Sequence, residues 1–331
     1  MSGGLAFLFL LALTAVSSAG LCWCLMVVAP QDAPDGGRKD QAAPVPTSGG
    51  LAIAGAMTVS LVAVGLLGGF PGANAAALLP ITLLSFGVLA LGAIDDAAAV
   101  PTRIKLGLLS AASLLAAATG VVVDEVFLPL ADSTLTLPPL LAIAGTAFWI
   151  FLMMNAVNFM DGANGIAIGS AATLTIPLAL YLSWTHDVDI LASAAGYLFV
   201  AASLGFLFWN LRGRLYAGDA GALFSGALFA ALSVLVAEDG NIWFPATLCL
   251  PFLIDVIMTL AWRASHGRNL LQPHRDHAYQ LFRRTGSGHL KVAAIWWGLS
   301  LICAGWALWA ATLSKTASAS VFAACLAIGI G

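Results

Sequence analysis

Two adjacent carboxylates, Asp95 and Asp96, stand at the end of a long apolar run. Because neighbouring negative charges repel each other, such a pair requires a cation or a bound proton. Lys105 follows ten positions after Asp95 and is a candidate partner for a phosphate group. The alternative is that both acids lie in water at a membrane surface and that Lys105 extends to the same interface. The acid pair by itself is therefore weak evidence for chemistry.

The segment from Asn155 to Gly165, which reads NAVNFMDGANG, is more specific. Asn158, Asp161 and Asn164 are spaced by three, so on a helical turn they would face one direction. Oxygen ligands beside flexible glycines suit Mg²⁺ and a nucleotide. A turn that uses Asn, Asp and Gly as caps explains one or two of these residues, but not the whole set.

Another acid, Asp219, begins a later apolar run and is flanked by Gly218, Ala220 and Gly221. Small neighbours would let a ligand approach the backbone, and the carboxylate could bind a metal ion. An aspartate is also a good helix N-cap, and for this residue taken alone the cap is the favoured interpretation.

The longest polar segment contains His274, Arg275 and His277 within four residues. Arg offers a planar fork to phosphate oxygens and His donates hydrogen bonds, so the three could hold a pyrophosphate. The alternative is an amphipathic surface helix that meets anionic lipid head groups. Both interpretations remain open, with the motif first and the amphipathic part after it.

One acid, Asp255, lies inside an apolar run, eight residues before Arg263. A carboxylate inside a membrane is costly and usually faces the protein interior. Asp255 could shape the site from below or pair structurally with a polar neighbour, and the sequence does not decide between these roles.

The elements that must position these residues follow from the composition. Of the 331 residues, 60% are apolar and only 9% are charged, and the mean hydropathy is +0.96. A soluble enzyme, a disordered tail and a disulfide scaffold are therefore excluded. The five cysteines lie in apolar runs. This position is typical of small core residues rather than of disulfide partners or zinc ligands. We predict an all-α polytopic membrane protein.

About ten to eleven runs approach the roughly 20 residues that a transmembrane helix needs. The first is longer than a signal-peptide core and lacks a basic start, so we expect it to remain as a span. The eleven runs are 4–29, 48–69, 75–94, 104–122, 139–157, 165–184, 189–209, 220–237, 242–262, 291–312 and 317–331.

The charges predict the orientation. If the spans alternate, the loops near 30–47, 95–103, 158–164, 210–219 and 263–291 share one face, and with their flanks they hold every basic residue except Lys315. Short basic loops stay in the cytoplasm. We therefore expect a periplasmic N-terminus and an active site on the cytoplasmic face.

Together the motifs resemble the polyprenyl-phosphate N-acetylhexosamine-1-phosphate transferases, the MraY/WecA superfamily or glycosyltransferase family 4. The motifs that carry the resemblance are Asp95-Asp96, the Asn155–Gly162 segment, Gly218-Asp219-Ala220-Gly221 and His274-Arg275-Asp276-His277-Ala278-Tyr279-Gln280. The last motif looks most like the WbpL-type branch. The first loop also fits, with Arg38-Lys39 and Gly49-Gly50. The match covers about residues 30–290 of a single domain 1–331, with C-terminal spans at 291–331.

The resemblance implies a reaction. A UDP-N-acetylhexosamine would donate its sugar-1-phosphate to undecaprenyl phosphate, giving a polyprenyl-diphospho-sugar and UMP, as the first membrane step of O-antigen or exopolysaccharide assembly. The enzyme would be multi-pass in the bacterial inner membrane, with Mg²⁺, or Mn²⁺ in its place. A homodimer is left open, and no nucleic acid is expected as a partner.

The resemblance also implies roles for individual residues. Asp219 would ligate the metal with Asn158 beside it, and Asp95 and Asp96 would act on the lipid phosphate. The remaining residues would bind substrate: the pyrophosphate would contact Lys105, His274, Arg275 and His277, and the nucleotide would contact Asp161 and Asn164. Asn164 departs from the pattern, because bacterial relatives usually carry Asp there. Gln41 and Thr47 likewise replace a frequent His and Arg.

Two other function classes compete with the transferase interpretation. A transporter or channel would use Asp255 and the loop acids as an ion path, but its acids should lie near mid-membrane in paired positions. A receptor or scaffold has no reason to gather Asn, Asp, His and Arg on one face. The sequence does not decide which N-acetyl sugar is used, whether GlcNAc, FucNAc or QuiNAc, nor which glycan is made.

Overall fold

The computed structural model describes residues 3–29, 31–33, 43–66, 78–120, 122–185, 190–270, 272 and 274–331. Arg38, Lys39 and Gln41 of the first loop lie outside the described residues. The helices are α1 Gly3–Leu25, α2 Gly49–Leu66, α3 Leu79–Ala98, α4 Thr102–Ala118, α5 Pro139–Phe159, α6 Ile166–Thr185, α7 Ile190–Asn210, α8 Gly218–Ala237, α9 Trp243–Ser265, α10 Ala278–Arg284, α11 His289–Ala311 and α12 Lys315–Ile330. Two short hairpins join them, β1 Gln31–Asp32 with β2 Val45–Pro46 and β3 Glu125–Leu128 with β4 Ser133–Thr136.

Each of the eleven predicted runs coincides with one helix, and the all-α polytopic architecture is confirmed. Within the described ranges, nine helices are long and apolar enough to cross a membrane. The other two runs form α4 and α12, which have 17 and 16 residues. The remaining helix, α10, has only seven residues and follows the His-Arg motif, where the sequence suggested a surface helix.

Helix α8 is the centre of the bundle. Every residue from Ala220 to Ala237 is buried, and α8 packs against α2, α3, α5 and α6. Glycines allow the closest contacts of this helix. A Cβ at Gly226 would lie 2.7 Å from the Cα of Met154 in α5, so these two backbones touch. Inside a bilayer such close packing of small residues is a main source of helix association.

The loops meet at two opposite ends of the bundle. At one end the β3–β4 hairpin contacts the α8–α9 loop, because Phe127 N–H donates to Gly240 O at 2.9 Å. Lys315, in the first turn of α12, pairs there with Asp239. The five loops that the charge pattern placed on one face meet at the other end, where they line the cavity described below. The predicted alternation holds for the loops within the described ranges, while the side that faces the cytoplasm stays a prediction.

Candidate active site

A cavity of about 800 Å³ opens where the five loops meet. The ten residues that were predicted as catalytic, metal-binding or substrate-binding all line this cavity, although they are spread over 183 positions of the chain. They are Asp95, Asp96, Lys105, Asn158, Asp161, Asn164, Asp219, His274, Arg275 and His277. The fold therefore brings the predicted site residues to one place, and their individual roles remain predictions.

A chain of polar contacts connects four helices, α3, α4, α5 and α8, at the cavity. Lys105 Nζ donates to Asp95 Oδ2 at 2.8 Å and also to Asp219 Oδ2. The other oxygen of Asp219 accepts a hydrogen bond of 2.7 Å from Asn158 Nδ2. The N-cap of α8 is Ala217, and Asp219 follows it in the first turn. The interpretation of Asp219 as the helix cap is therefore wrong, because its carboxylate points to Lys105 and Asn158.

Asp96 supplies that cap instead. Its Oδ1 accepts from the backbone N–H of Asp219 at 2.8 Å, and its Oδ2 accepts from Ala220 N–H at 3.2 Å. The first N–H groups of a helix have no partner within the helix, and a carboxylate satisfies them with a favourable charge. The two adjacent acids thus have different partners, Lys105 for Asp95 and the start of α8 for Asp96. Each of the two neighbouring carboxylates therefore has its own positively polarised partner, which offsets the repulsion between them.

Glycines make this close approach geometrically feasible. A Cβ at Gly92 in α3 would lie 2.4 Å from the backbone nitrogen of Ala220, and one at Gly218 would lie 2.3 Å from Asp96 Oδ2. Gly218 also has a φ of +70°, which favours glycine. Both positions must lack a side chain for Asp96 to reach the N-terminus of α8.

The loop before α2 is joined to the loop before α8. Gly49 N–H donates to Tyr216 O and Gly50 N–H donates to Ala217 O, both at 3.0 Å. Tyr216 N–H in turn donates to Pro46 O at 2.9 Å. The glycine pair of the first loop therefore positions the segment that carries Asp219, a role that the sequence did not reveal.

The Asn-rich segment follows a different local path from the one expected. Helix α5 ends at Phe159, and residues 160–165 form a turn rather than a continuing helix. Asn158, Asp161 and Asn164 therefore do not share a helical face, yet all three reach the cavity. The condition of one helical turn is not met, because α5 has its C-cap at Met160 and the chain turns at Gly165, whose φ is +85°, before α6 begins.

Asp161 sits in a strongly unfavourable environment for a negative charge. Burial, and then the charges of Asp219 and Asp96, raise the pKa of Asp161 well above its ordinary value. The carboxylates of Asp96 and Asp219 thus lie close to Asp161 in a cavity that is also lined by Lys105 and three arginines. A cation beside Asp219 would lower the local repulsion among these acids.

The His-Arg motif lies against one face of α9. Arg263 donates to Asp276 Oδ2 and, through its other terminal nitrogen, to Asn269 O at 2.7 Å. This ion pair outweighs burial and lowers the pKa of Asp276. Burial, followed by the charges of Arg263 and His277, lowers the pKa of His274 to about 4. His274 is therefore neutral at pH 7 and can offer a hydrogen bond to a substrate without a formal charge.

Asp255 has the structural pairing that the sequence left undecided. Its side chain is 3% exposed, and it faces His277 Nδ1 at 3.3 Å. The N–H of Ala278 also donates to Asp255 Oδ1 at 2.8 Å. Asp255, inside the span, thus holds His277 and Ala278 of the cavity-lining motif through these contacts.

Three further residues of the site were missed by sequence reasoning. Asn210 accepts from Gly165 N–H at 2.7 Å and donates to Leu215 O at 2.8 Å, so it fastens two site loops to each other. Tyr279 is 1% exposed and donates to Phe159 O at 3.0 Å. His289 accepts from Asn164 N–H at 3.2 Å. The only sequence signal for Asn210 and His289 was a polar residue at the end of an apolar run.

The cavity offers a metal ion a small donor set. Among the described residues, no three His, Cys, Asp or Glu side chains converge as a preformed metal site. Mg²⁺ is commonly bound by one or two carboxylates, with waters and substrate phosphates completing the shell. Asp219, with Asn158 at 2.7 Å, provides a donor set of that size.

The chain is similar in sequence to known transferases. The family model described as glycosyl transferase family 4 matches residues 78–237, a range that contains Asp95, Asn158 and Asp219. The chain is 25% identical over 253 residues to a probable undecaprenyl-phosphate N-acetylglucosaminyl 1-phosphate transferase of Bacillus subtilis, covering 74% of this chain and 67% of that protein.

Two further relatives broaden the comparison. A decaprenyl-phosphate N-acetylglucosaminephosphotransferase of Mycobacterium tuberculosis is 26% identical over 314 residues, 86% of this chain and 74% of that protein. A phospho-N-acetylmuramoyl-pentapeptide-transferase of Micrococcus luteus is 28% identical over 308 residues, 78% of this chain and 80% of that protein. The chain is therefore similar to polyprenyl-phosphate N-acetylhexosamine-1-phosphate transferases, and this similarity, with the nine long apolar helices among the described residues, supports a multi-pass membrane transferase.

Proposed function

We propose that this enzyme transfers N-acetylhexosamine-1-phosphate from a UDP-sugar to undecaprenyl phosphate, releasing UMP. The observation that carries the proposal is the convergence of carboxylates, amides, Lys105 and a His-Arg motif in one cavity at one end of the spans. The names of the relatives, which include undecaprenyl- and decaprenyl-phosphate N-acetylglucosamine phosphotransferases, support the two substrates.

The chemistry is a phosphoryl transfer. An oxygen of the lipid phosphate attacks the sugar-bearing phosphorus, and the bond from that phosphorus to the oxygen of UMP breaks. A phosphate monoester has a second pKa near 6, so the acceptor is largely a dianion at neutral pH. A strong base is therefore unnecessary, and we assign Asp95 to charge organisation through its ion pair with Lys105.

Catalysis of such a reaction depends mostly on positioning and on stabilising negative charge. We assign Lys105, His274, Arg275 and His277 to the pyrophosphate of the donor. Asp161 and Asn164, in the turn after α5, are assigned to the nucleotide. Asp96 is assigned to holding α8 in place, since both of its oxygens accept from backbone N–H groups.

We assign a divalent cation, Mg²⁺ or Mn²⁺, to Asp219 with Asn158 beside it. When bound, such a cation would neutralise charge on the phosphate oxygens. In this structure the contact to Asp219 uses the amide nitrogen of Asn158, which leaves the amide oxygen as the atom suited to a cation.

The cavity end of the bundle is proposed to face the cytoplasm of a bacterium, in the inner membrane. The distribution of Lys and Arg supports this orientation. A soluble UDP-sugar and a lipid whose tail stays in the bilayer can meet at that surface. The His-Arg motif further suggests the WbpL-type branch, and hence O-antigen or exopolysaccharide assembly.

A purified sample with undecaprenyl phosphate, Mg²⁺ and a panel of UDP-sugars tests the proposal. We expect a lipid-linked diphospho-sugar and UMP, with the panel identifying GlcNAc, FucNAc or QuiNAc as the sugar. Asp219→Ala should abolish turnover, and Asp239→Asn, at the opposite end of α8, is the matched control. If Asp219→Ala retained full activity, the assignment of the metal would be wrong.

The transporter alternative makes a different prediction for the acids. A translocation path needs acids near mid-membrane. Asp95, Asp96 and Asp219 instead lie at helix ends. The carboxylate of Asp255 already has hydrogen-bond partners in His277, Ala278 and Tyr279. Ion or sugar flux through proteoliposomes without lipid-linked product would favour the transporter.

A further inference from the structure

Asp255 is engaged by four donors at once. Ala278 N–H donates to Oδ1 at 2.8 Å and Tyr279 N–H donates to Oδ2 at 3.4 Å, so the acid holds the start of α10. Thr259 Oγ1 and His277 Nδ1 each lie 3.3 Å from Oδ1. The Asp255 side chain is only 3% exposed, and burying a polar group is costly unless it has such hydrogen-bond partners.

The ring of His277 is fixed on its other sides by aromatic neighbours. It stacks on His274 at a centroid distance of 5.0 Å, on Tyr279 at 5.9 Å and on Phe159 at 6.0 Å. The side chain is only 4% exposed, yet it lines the cavity. With a carboxylate facing Nδ1, that nitrogen carries a proton, and Nε2 is left for a ligand in the cavity.

The loop itself has a separate anchor. Arg263, two turns after Asp255 on α9, holds Asp276 and Asn269. Loss of the Asp255 carboxylate therefore leaves Asn269 and Asp276 anchored to Arg263. The contribution specific to Asp255 is the orientation of His277 and of the first residues of α10.

We propose that Asp255 is a positioning residue of the transfer reaction, acting through His277. It fixes the imidazole so that Nε2 faces the phosphate groups of the donor. This inference rests on the proposed function. A carboxylate that orients a ring nitrogen in this way is a general device, since the hydrogen bond at one nitrogen sets the orientation and the proton of the other.

A double-mutant cycle tests the coupling. Asp255→Asn keeps the shape of the side chain, and we expect kcat/KM for the UDP-sugar to fall about 10- to 100-fold, the usual range for a residue that orients a ligand. His277→Gln should give a loss of similar size. If Asp255 acts through His277, the double variant should lie within about 3-fold of His277→Gln alone.

Thr259→Val is the matched control, because it removes a different donor to the same carboxylate and should change kcat/KM less than about 3-fold. Losses that multiply in the double variant, or an Asp255→Asn enzyme with wild-type kcat/KM, would overturn the proposal. If Asp255→Asn does not fold, the same cycle is run with Asp255→Glu. A wild-type enzyme that forms no lipid-linked product refutes the proposed function instead, so the two failures are distinguishable.

Discussion

Gly92→Ala should inactivate the enzyme without unfolding it. An added Cβ would lie 2.4 Å from the nitrogen and 2.5 Å from the Cα of Ala220, where ordinary contacts begin at 3.4 Å. Both atoms belong to the backbone of α8, so neither can rotate away, and α3 and α8 must separate by about 1 Å. That displacement moves Asp219 away from Asp95 and Lys105. A misplacement of about 1 Å at a catalytic group costs on the order of 100-fold in rate.

The assay is kcat for release of UMP, measured beside the thermal midpoint in detergent. Gly87→Ala is the matched control, because it lies on the same helix and its Cβ would meet nothing within 4 Å. Both substitutions gain the same helix propensity of about 0.5–1 kcal/mol. Wild-type kcat in Gly92→Ala would refute the view that the α3–α8 contact sets the site geometry, as would an equal loss in Gly87→Ala.

Three further predictions follow from the same site. Lys105→Gln removes the cation between Asp95 and Asp219 and should lower kcat/KM for the UDP-sugar by on the order of 100-fold or more. Steady-state release of UMP at a fixed Mg²⁺ concentration measures this loss. Asp96→Ala leaves the N-terminus of α8 without a cap and should cost about 1–2 kcal/mol of stability, seen as a lower midpoint in denaturant. Burial, with the charges of Arg263 and His277, lowers the pKa of His274 from 6.5 to about 4, so the folded state binds fewer protons than the unfolded state between these values. Stability should therefore fall as the pH drops through that window, and thermal midpoints should fall less for His274→Gln than for the wild type.

Much of the site was predictable from the sequence because its chemistry uses rare residues. In a chain with 9% charged residues, each polar loop stands out, and alternation of spans assigns the loops to common faces. Asn158, Asp161 and His277 were found in this way. The role of Asp96 could not be found, since a carboxylate that accepts from α8 has the same sequence as one that binds a substrate.

The sequence by itself determined the spans and the set of polar residues, because both depend on composition along the chain and on the cost of burying charge in lipid. Tertiary structure alone decided which acid caps α8, which two acids meet Lys105 and which acid faces His277. These pairings join residues up to 124 positions apart, as between Asp96 and Ala220. They depend on close approach of backbone segments, which the glycines at 50, 92 and 218 permit. No local sequence pattern encodes this approach.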